Sequence, residues 1–337
     1  MHAAFQISIG RLLAEQTAAA LPSGIQAQWW HWVAFGVFVA VMLALDLGVF
    51  HRHSREPTLK ESAFWTAVWT ALALAFNGLV WRWGGSTAAV QFLTGYLVEW
   101  SLSMDNVFVF AVIFTFFQIP LEYQYRVLFW GILGAIFMRL AFILVGAALL
   151  EYFEWMLLVF GGLLIITGLR LALKHEETHP ENNLIMRLAR RFLPVAGGSH
   201  GNRFFVRENS RRCITPLFLV LLVVESTDVL FAVDSVPAIF GVTRDPFIVF
   251  TSNIFAILGL RALYFLLAGV MGLFRYLHYG LAAVLIFVGG KMMAEYFFDL
   301  HLFKDYPWIS LAVIAALLGI AIVASLAVGK PKAVNDQ

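Results

Sequence analysis

Nine apolar runs, each long enough to cross a hydrocarbon layer ~30 Å thick, dominate this chain and fix its class before any motif is considered. They fall at about 30–50, 63–83, 89–117, 127–150, 155–173, 215–241, 247–272, 278–298 and 308–329. In lipid every backbone N–H and C=O must be satisfied internally, so uninterrupted apolar runs of this length fold as helices. The expectation is an all-α polytopic membrane protein with about nine transmembrane helices. Composition agrees, with 61% apolar and 13% charged residues and a mean hydropathy of +0.81, outside the range of ordinary soluble domains. The first 29 residues carry one Arg and no compact apolar stretch before a small-residue cleavage site, so 1–29 reads as an external N-terminal tail rather than a signal peptide.

Charge placement sets the orientation. The formal net charge is only +2, which argues against a nucleic-acid surface. Most of the 23 Lys and Arg residues nevertheless fall on one side of an alternating nine-span chain, in 51–61, at Arg126, between Arg170 and Arg212, and at Arg275, Lys330 and Lys332. The other side has Arg11, Arg82, Arg244 and Lys304. By the positive-inside rule the N-terminus is outside and the C-terminus cytoplasmic, which implies a multi-pass protein of the cell (inner) membrane. The organisation that follows is an external tail (1–29), two peripheral helices (30–83), a first three-helix unit (89–173), a basic cytoplasmic loop (174–214), a second three-helix unit (215–298), and a last helix with a cytoplasmic tail (308–337). Within the loop, Gly197-Gly198-Ser199-His200-Gly201-Asn202 reads as a flexible, turn-rich stretch.

The two units resemble each other. Laying Asp105 on Asp234 sets Ser103-Met104-Asp105-Asn106-Val107 against Ala232-Val233-Asp234-Ser235-Val236, and the same offset sets Glu99 against Asp228. With a small gap Arg139 matches Arg261, and Ile165-Ile166-Thr167-Gly168-Leu169-Arg170 matches Ile286-Phe287-Val288-Gly289-Gly290-Lys291. Three spans per unit, joined by one cytoplasmic loop, force the second unit to run opposite to the first. That is an inverted repeat, an arrangement that places transporter substrate sites near the midplane.

Five carboxylates inside apolar spans carry the chemistry: Glu99, Asp105, Glu225, Asp228 and Asp234. An acidic side chain at the bilayer centre costs about 2.5–3.5 kcal/mol, so five without partners would sum to roughly 12–18 kcal/mol. They must be paired, protonated or bound to metal. Glu225 and Asp228 share a helix face, whereas Glu99/Asp105 and Asp228/Asp234 are six residues apart, about 120° around a straight helix and ~9 Å along it. A continuous helix cannot aim both members at one point. Pro237 frees the carbonyl of Val233 beside Asp234, which predicts a broken or kinked span there. Carboxylates, the Asn106 amide and freed carbonyls would make an all-oxygen site suited to a hard divalent ion such as Mn²⁺, Mg²⁺ or Ca²⁺. Met104 would add one soft ligand, although packing is its ordinary role.

Mid-span Arg139 and Arg261 read as counter-charges that set helix positions. The competing reading makes the acids a structural ion-pair network with these two arginines. Five acids against two arginines still leave a negative surplus, room for one divalent ion and a proton. Asp46 and Asn253 are possible accessory groups, and Asn77 reads as a helix–helix hydrogen bond. Lys291 and Arg170 read as snorkelling side chains. The 11 Trp, 9 Tyr and 32 Phe read as interfacial belts and lipid-facing bulk. The single cysteine, Cys213, excludes a disulfide framework, and scattered histidines without HExxH argue against a zinc hydrolase. No GxxxxGK[ST] motif is present for ATP-driven pumping, and nothing points to an enzyme or to a permanently bound cofactor.

The strings Met42-Leu43-Ala44-Leu45-Asp46, Glu99-Trp100-Ser101-Leu102-Ser103-Met104-Asp105-Asn106-Val107-Phe108-Val109 and Phe231-Ala232-Val233-Asp234-Ser235-Val236-Pro237-Ala238-Ile239-Phe240 resemble the TerC/Alx family of integral membrane proteins. So do Thr243-Arg244-Asp245-Pro246-Phe247 and Thr251-Ser252-Asn253-Ile254-Phe255-Ala256-Ile257-Leu258-Gly259-Leu260-Arg261. That resemblance implies a cytoplasmic-membrane Mn²⁺ exporter whose metal-handling acids map to Glu99, Asp105, Glu225, Asp228 and Asp234. It also brings associations with tellurite resistance and with a redox role. The expected function is secondary export of a divalent cation, Mn²⁺ above all, in exchange for protons, with no nucleic-acid partner. The alternatives are a membrane redox modulator, an assembly factor with a structural acid network, and an amino-acid exporter.

Overall fold

A computed structural model describes residues 25, 27–50, 58–173, 186, 191, 194–196, 201, 203–208, 211–268, 276–298 and 306–328, without the side chains of 46–50, 211, 268 and 328. Nine helices and one hairpin make up these residues: α1 (Trp29–Phe50), α2 (Leu59–Phe116), α3 (Leu121–Tyr152), α4 (Met156–Leu173), β1 (Phe205–Glu208), β2 (Arg211–Ile214), α5 (Pro216–Phe240), α6 (Pro246–Leu258), α7 (Leu260–Ala268), α8 (Leu277–Phe298) and α9 (Pro307–Val328). Among the described residues, six of the helices are long and apolar enough to cross a membrane, and α6 with α7, bent at a short break, is apolar enough to make a seventh if the pair is one span. The molecule is thus a helical, multi-pass membrane protein. The tail 1–24, residues 329–337, the side chain of Asp46 and most of the loop 174–214 lie outside the described residues.

Capping chemistry starts the helices where the sequence allows it. Thr58 and Glu61 form a reciprocal capping box at α2. Thr215 caps α5 ahead of Pro216, and Asp245 caps α6 ahead of Pro246 by accepting from the N–H groups of Phe247 and Ile248.

At 58 residues, α2 would be about 87 Å long if straight. It is not straight. Gly85 adopts φ 74°, ψ −172° and reverses the chain, a conformation that only glycine reaches cheaply. The two arms then lie side by side, with Phe76 and Phe92 rings 5.5 Å apart and the Tyr96 hydroxyl 3.4 Å from Thr70. These arms coincide with the runs 63–83 and 89–117.

The second break is at Gly259, where α6 and α7 bend by 41°. The bend was not anticipated, whereas the kink expected at Pro237 is absent. Pro237 sits in the last turn of α5, which runs unbroken from Pro216 to Phe240. Pro237 still leaves the Val233 carbonyl without its i+4 donor, but only one turn of helix follows it, so little remains to be redirected.

The second arm of α2 packs on α6 and α7, α5 packs on α3, and α4 packs on α8. The α4–α8 crossing is tight because it is lined with glycine. A Cβ on Gly161 would lie 2.9 Å from the Gly289 carbonyl oxygen, and one on Gly168 would lie 2.8 Å from that of Ala282. Three further expectations are corrected. Phe35, Phe92, Phe247 and Phe255 are buried and pack edge-on or tilted against one another between α1, α2 and α6, rather than facing lipid, because aromatic volume is needed to fill that three-way junction. Lys291 does not snorkel: it is buried and donates to the Ser310 hydroxyl at 3.2 Å on the neighbouring α9. The Asn77 amide oxygen is buried without a hydrogen-bond partner among the described residues, so no helix–helix bond forms there. Within 174–214, β1 and β2 pair antiparallel in the register Phe205↔Ile214 and Val206↔Cys213.

Candidate functional site

Small residues let the central helices approach closely, and this places the polar centre. A Cβ on Gly95 would come within 2.8 Å of the Ser252 hydroxyl. One turn further along α2, Glu99 meets Asn253 of α6, whose Nδ2 donates to Glu99 Oε2 at 3.0 Å. Glu99 is wholly buried, at 0% exposure, and so is Asn253.

Arg139 of α3 enters the same space, 1% exposed. Its Nη1 donates to Glu99 Oε1 and, at 3.1 Å, to the Ser235 hydroxyl. Its Nη2 reaches Asp228 Oδ1 at 3.4 Å. One guanidinium therefore spans two carboxylates from two helices that share no sequence neighbourhood. Ser103 stands at the edge of this group, its hydroxyl 3.5 Å from Glu99. Two oxygens in the cluster, Asp228 Oδ2 and Asn253 Oδ1, are buried with no hydrogen-bond partner among the described residues. Buried oxygens of that kind are costly unless something supplies positive charge or a donor.

The remaining predicted residues lie apart from this cluster. Asp234, six residues beyond Asp228 on the same unbroken helix, turns to α4 and accepts from the Thr167 hydroxyl at 2.9 Å. Arg170, one turn along α4, attracts the same carboxylate. Glu225 is half-buried, and its carboxyl fills the space left by the absent side chain of Gly134 on α3, where a Cβ would collide with it. Asp105 is half-buried on α2 and turned about 120° from Glu99 by helical geometry, whereas Asn106, seven residues on from Glu99, is buried on nearly the same face about two turns along. Met104 is buried in the apolar core. Arg261 of α7 sits with its guanidinium carbon 4.1 Å from the centre of the Tyr125 ring, a cation–π contact. Among the described residues no three His, Cys, Asp or Glu side chains gather around one point.

Sequence reasoning missed Ser235, Thr167 and Gly134 as partners of the acids, and the buried pair of Tyr264 and Gln124, where the tyrosine hydroxyl donates to the amide oxygen at 2.7 Å. The only signal for Thr167 is a hydroxyl inside an apolar run. Gly134 carries none. Chemically, the cluster joins two carboxylates, an amide and two hydroxyls around a single cation. A hard cation entering among these oxygens would compete directly with the Arg139 guanidinium.

Comparison with known proteins places the chain among membrane proteins. The profile of the "Integral membrane protein TerC family" matches residues 84–333. The "Uncharacterized membrane protein STKORF319" of Myxococcus xanthus is 54% identical over 296 residues, covering 88% of this chain and 91% of that protein. The "Putative membrane-bound redox modulator Alx" of Escherichia coli (strain K12) is 47% identical over 279 residues, covering 80% of this chain and 87% of that protein. An "Uncharacterized membrane protein" of Rickettsia bellii is 38% identical over 296 residues, covering 88% and 96%. No solved structure matches the chain.

Proposed function

The chain belongs to the TerC family of integral membrane proteins, and from that premise we propose that it is a secondary transporter exporting a divalent cation, Mn²⁺ by family resemblance, in exchange for protons. The observation that carries this reading is the Arg139 cluster. Two buried carboxylates share one guanidinium, while Asp228 Oδ2 and Asn253 Oδ1 stay unpartnered beside it among the described residues. A divalent cation taken up by Glu99, Asp228 and Asn253 would displace Arg139, and protonating a carboxylate would weaken the cation and favour its release. Asp105 and Asp234, which the helices turn away from the cluster, then serve as approach or proton-carrying groups, with Glu225 one turn before Asp228 on its face as a further carboxylate and Asn106 on the face of Glu99 as a further oxygen along the path.

Two architectural proposals accompany this. The Gly85 reversal counts as two crossings and α1 as one more, giving nine with the N-terminus outside and the C-terminus in the cytoplasm of an inner membrane. Residues 89–173 and 215–298 form an inverted repeat. The packing supports it: the first helix of each unit lies on the second helix of the other (α2 on α6 and α7, α5 on α3), and the third helices, α4 and α8, pack on each other. A molecular two-fold axis produces this exchange of partners.

The second reading, redox modulation, comes from the names of relatives. The chain's one cysteine, Cys213, is buried within the β-hairpin, a poor place for thiol exchange. Uptake of radioactive Mn²⁺ into inverted membrane vesicles separates the two readings. Wild type should accumulate the ion when a pH gradient is imposed, and Asp228→Asn and Asp234→Asn, inserted at equal levels, should not. No uptake above empty vesicles under any gradient would end the transporter reading.

A further inference from the structure

The repeat relates Arg139 to Arg261 and Glu99 to Asp228, yet the structure treats the two arginines differently. Arg139 holds both repeat-related carboxylates. Arg261, also buried, lies on the Tyr125 ring at the start of α3. The helices that carry them differ in the same sense. α3 is continuous through Arg139, whereas α6 and α7 are bent by 41° at Gly259, two residues before Arg261. Beyond that bend α7 is fastened to the start of α3 by the Tyr264–Gln124 hydrogen bond at 2.7 Å. Asp228 meanwhile keeps a second oxygen, Oδ2, buried and unpartnered among the described residues.

We propose that Arg139 and Arg261 exchange places: in the opposite-facing state Arg261 takes the Glu99–Asp228 pair, Arg139 leaves it, and Gly259 is the hinge that carries α7 inward. This deepens the transporter proposal and rests on it for its meaning. The physical logic follows from the two-fold relation between the units. An inverted repeat in an asymmetric conformation has a second conformation of the same kind with the units' roles reversed. Each repeat-related residue must then have two environments. For two arginines sharing one pair of acids, those environments are on the pair and off it. The acids are compensated by one guanidinium in both states, so the exchange avoids stranding them uncompensated in the membrane. The Tyr125 ring offers the departing cation a partly compensating face. Gly259 suits a hinge because it leaves room: a Cβ there would meet Trp69 and two carbonyl oxygens at ordinary contact distance, 3.5 Å or more.

The test is a distance measurement on the full chain in nanodiscs. Nitroxides are placed at Glu122→Cys and Leu266→Cys in a Cys213→Ser background and read by pulsed electron resonance. This pair spans the start of α3 and α7, the two parts that must separate when Arg261 leaves Tyr125. Arg261→Gln should give one narrow distance, that of the arrangement described above. Arg139→Lys, which weakens the bidentate hold, should raise a second distance at least several-fold in population relative to wild type. Gly259→Ala, which strengthens the helix at the hinge without a clash, should deplete that second distance. Identical distributions in wild type, Arg261→Gln and Arg139→Lys would overturn the exchange, and so would a second distance that survives Arg261→Gln. The distances need no transported ion. A shift without Mn²⁺ flux would therefore uphold the exchange and reject the transporter reading, and flux without a shift would do the reverse.

Discussion

Removing the Arg139 guanidinium while keeping the side chain polar, Arg139→Gln, tests the electrostatic account of the polar centre most directly. The guanidinium serves Glu99, Asp228 and Ser235 at once from a position 1% exposed. Taking one partner from a buried ion pair typically costs about 3–5 kcal/mol, because the remaining charge is left uncompensated. Here two carboxylates lose their cation together, so the upper end of that range applies, about 5 kcal/mol. At roughly 2–4 °C per kcal/mol for chains of a few hundred residues, the unfolding midpoint should fall by on the order of 10 °C or more. Glu99→Gln should cost less, about 1–3 kcal/mol, since Arg139 keeps Asp228 and Ser235 and only hydrogen bonds are weakened. The decisive variant combines Arg139→Gln, Glu99→Gln and Asp228→Asn. It removes every charge in the cluster and should recover at least half of the loss seen with Arg139→Gln alone. Tryptophan fluorescence during thermal unfolding in detergent reads all three, with size-exclusion profiles confirming a single folded species. If the triple variant is no more stable than Arg139→Gln, the cost is steric rather than electrostatic, and the charge-sharing account of the site fails.

Four further outcomes are expected. Gly134→Ala would place a Cβ against the Glu225 carboxyl, the far end of a flexible, half-buried side chain that can swing aside, so a loss below about 1 kcal/mol is expected. Gly162→Ala, on a helix face with nothing within 4 Å, should be neutral or stabilising by up to about 1 kcal/mol, and parallel melting curves compare the two. Gly85→Ala meets no neighbour but must hold a backbone conformation closed to L side chains, so a loss of about 1–3 kcal/mol is expected purely from the backbone. An equally large loss in Gly78→Ala, an open helical position in the same helix, would show that the turn is not the cause. Lys291→Met should leave the midpoint unchanged or raise it, because a buried charge held by the Ser310 hydroxyl is replaced by an apolar chain of similar length, and a fall of several degrees would assign the ammonium an essential partner.

Particular residues show how far the chain could be read without its fold. The angular argument about Asp228 and Asp234 holds in the structure: on one unbroken helix they face Arg139 and Thr167 on different neighbours. That succeeds because side-chain direction along a helix is a local property, fixed by 100° per residue. The breaks were read less well. Pro237 was given a kink that its place in the final turn makes unnecessary, while the bend at Gly259 carries no signal beyond one glycine in an apolar run. The hairpin 205–214 was passed over although Asn209-Ser210 separates two short runs with strand-forming residues.

The sequence alone determined that this chain is a helical membrane protein, where its apolar runs begin and end, and that its intramembrane acids demand compensation. Hydrophobicity, helical period and the cost of charge in lipid act on each segment separately, so they can be read from a string of residues. Which cation compensates which acid was decided only in three dimensions. Glu99 finds Asn253, 154 positions away in the chain, because Gly95 and Ser252 let two helices touch. Arg139 reaches Glu99 and Asp228 together, while Arg261, its counterpart in the proposed repeat, lies on Tyr125. Two mid-span arginines occupy unequal places because helix packing is settled by the whole set of close contacts, and no segment carries that information by itself.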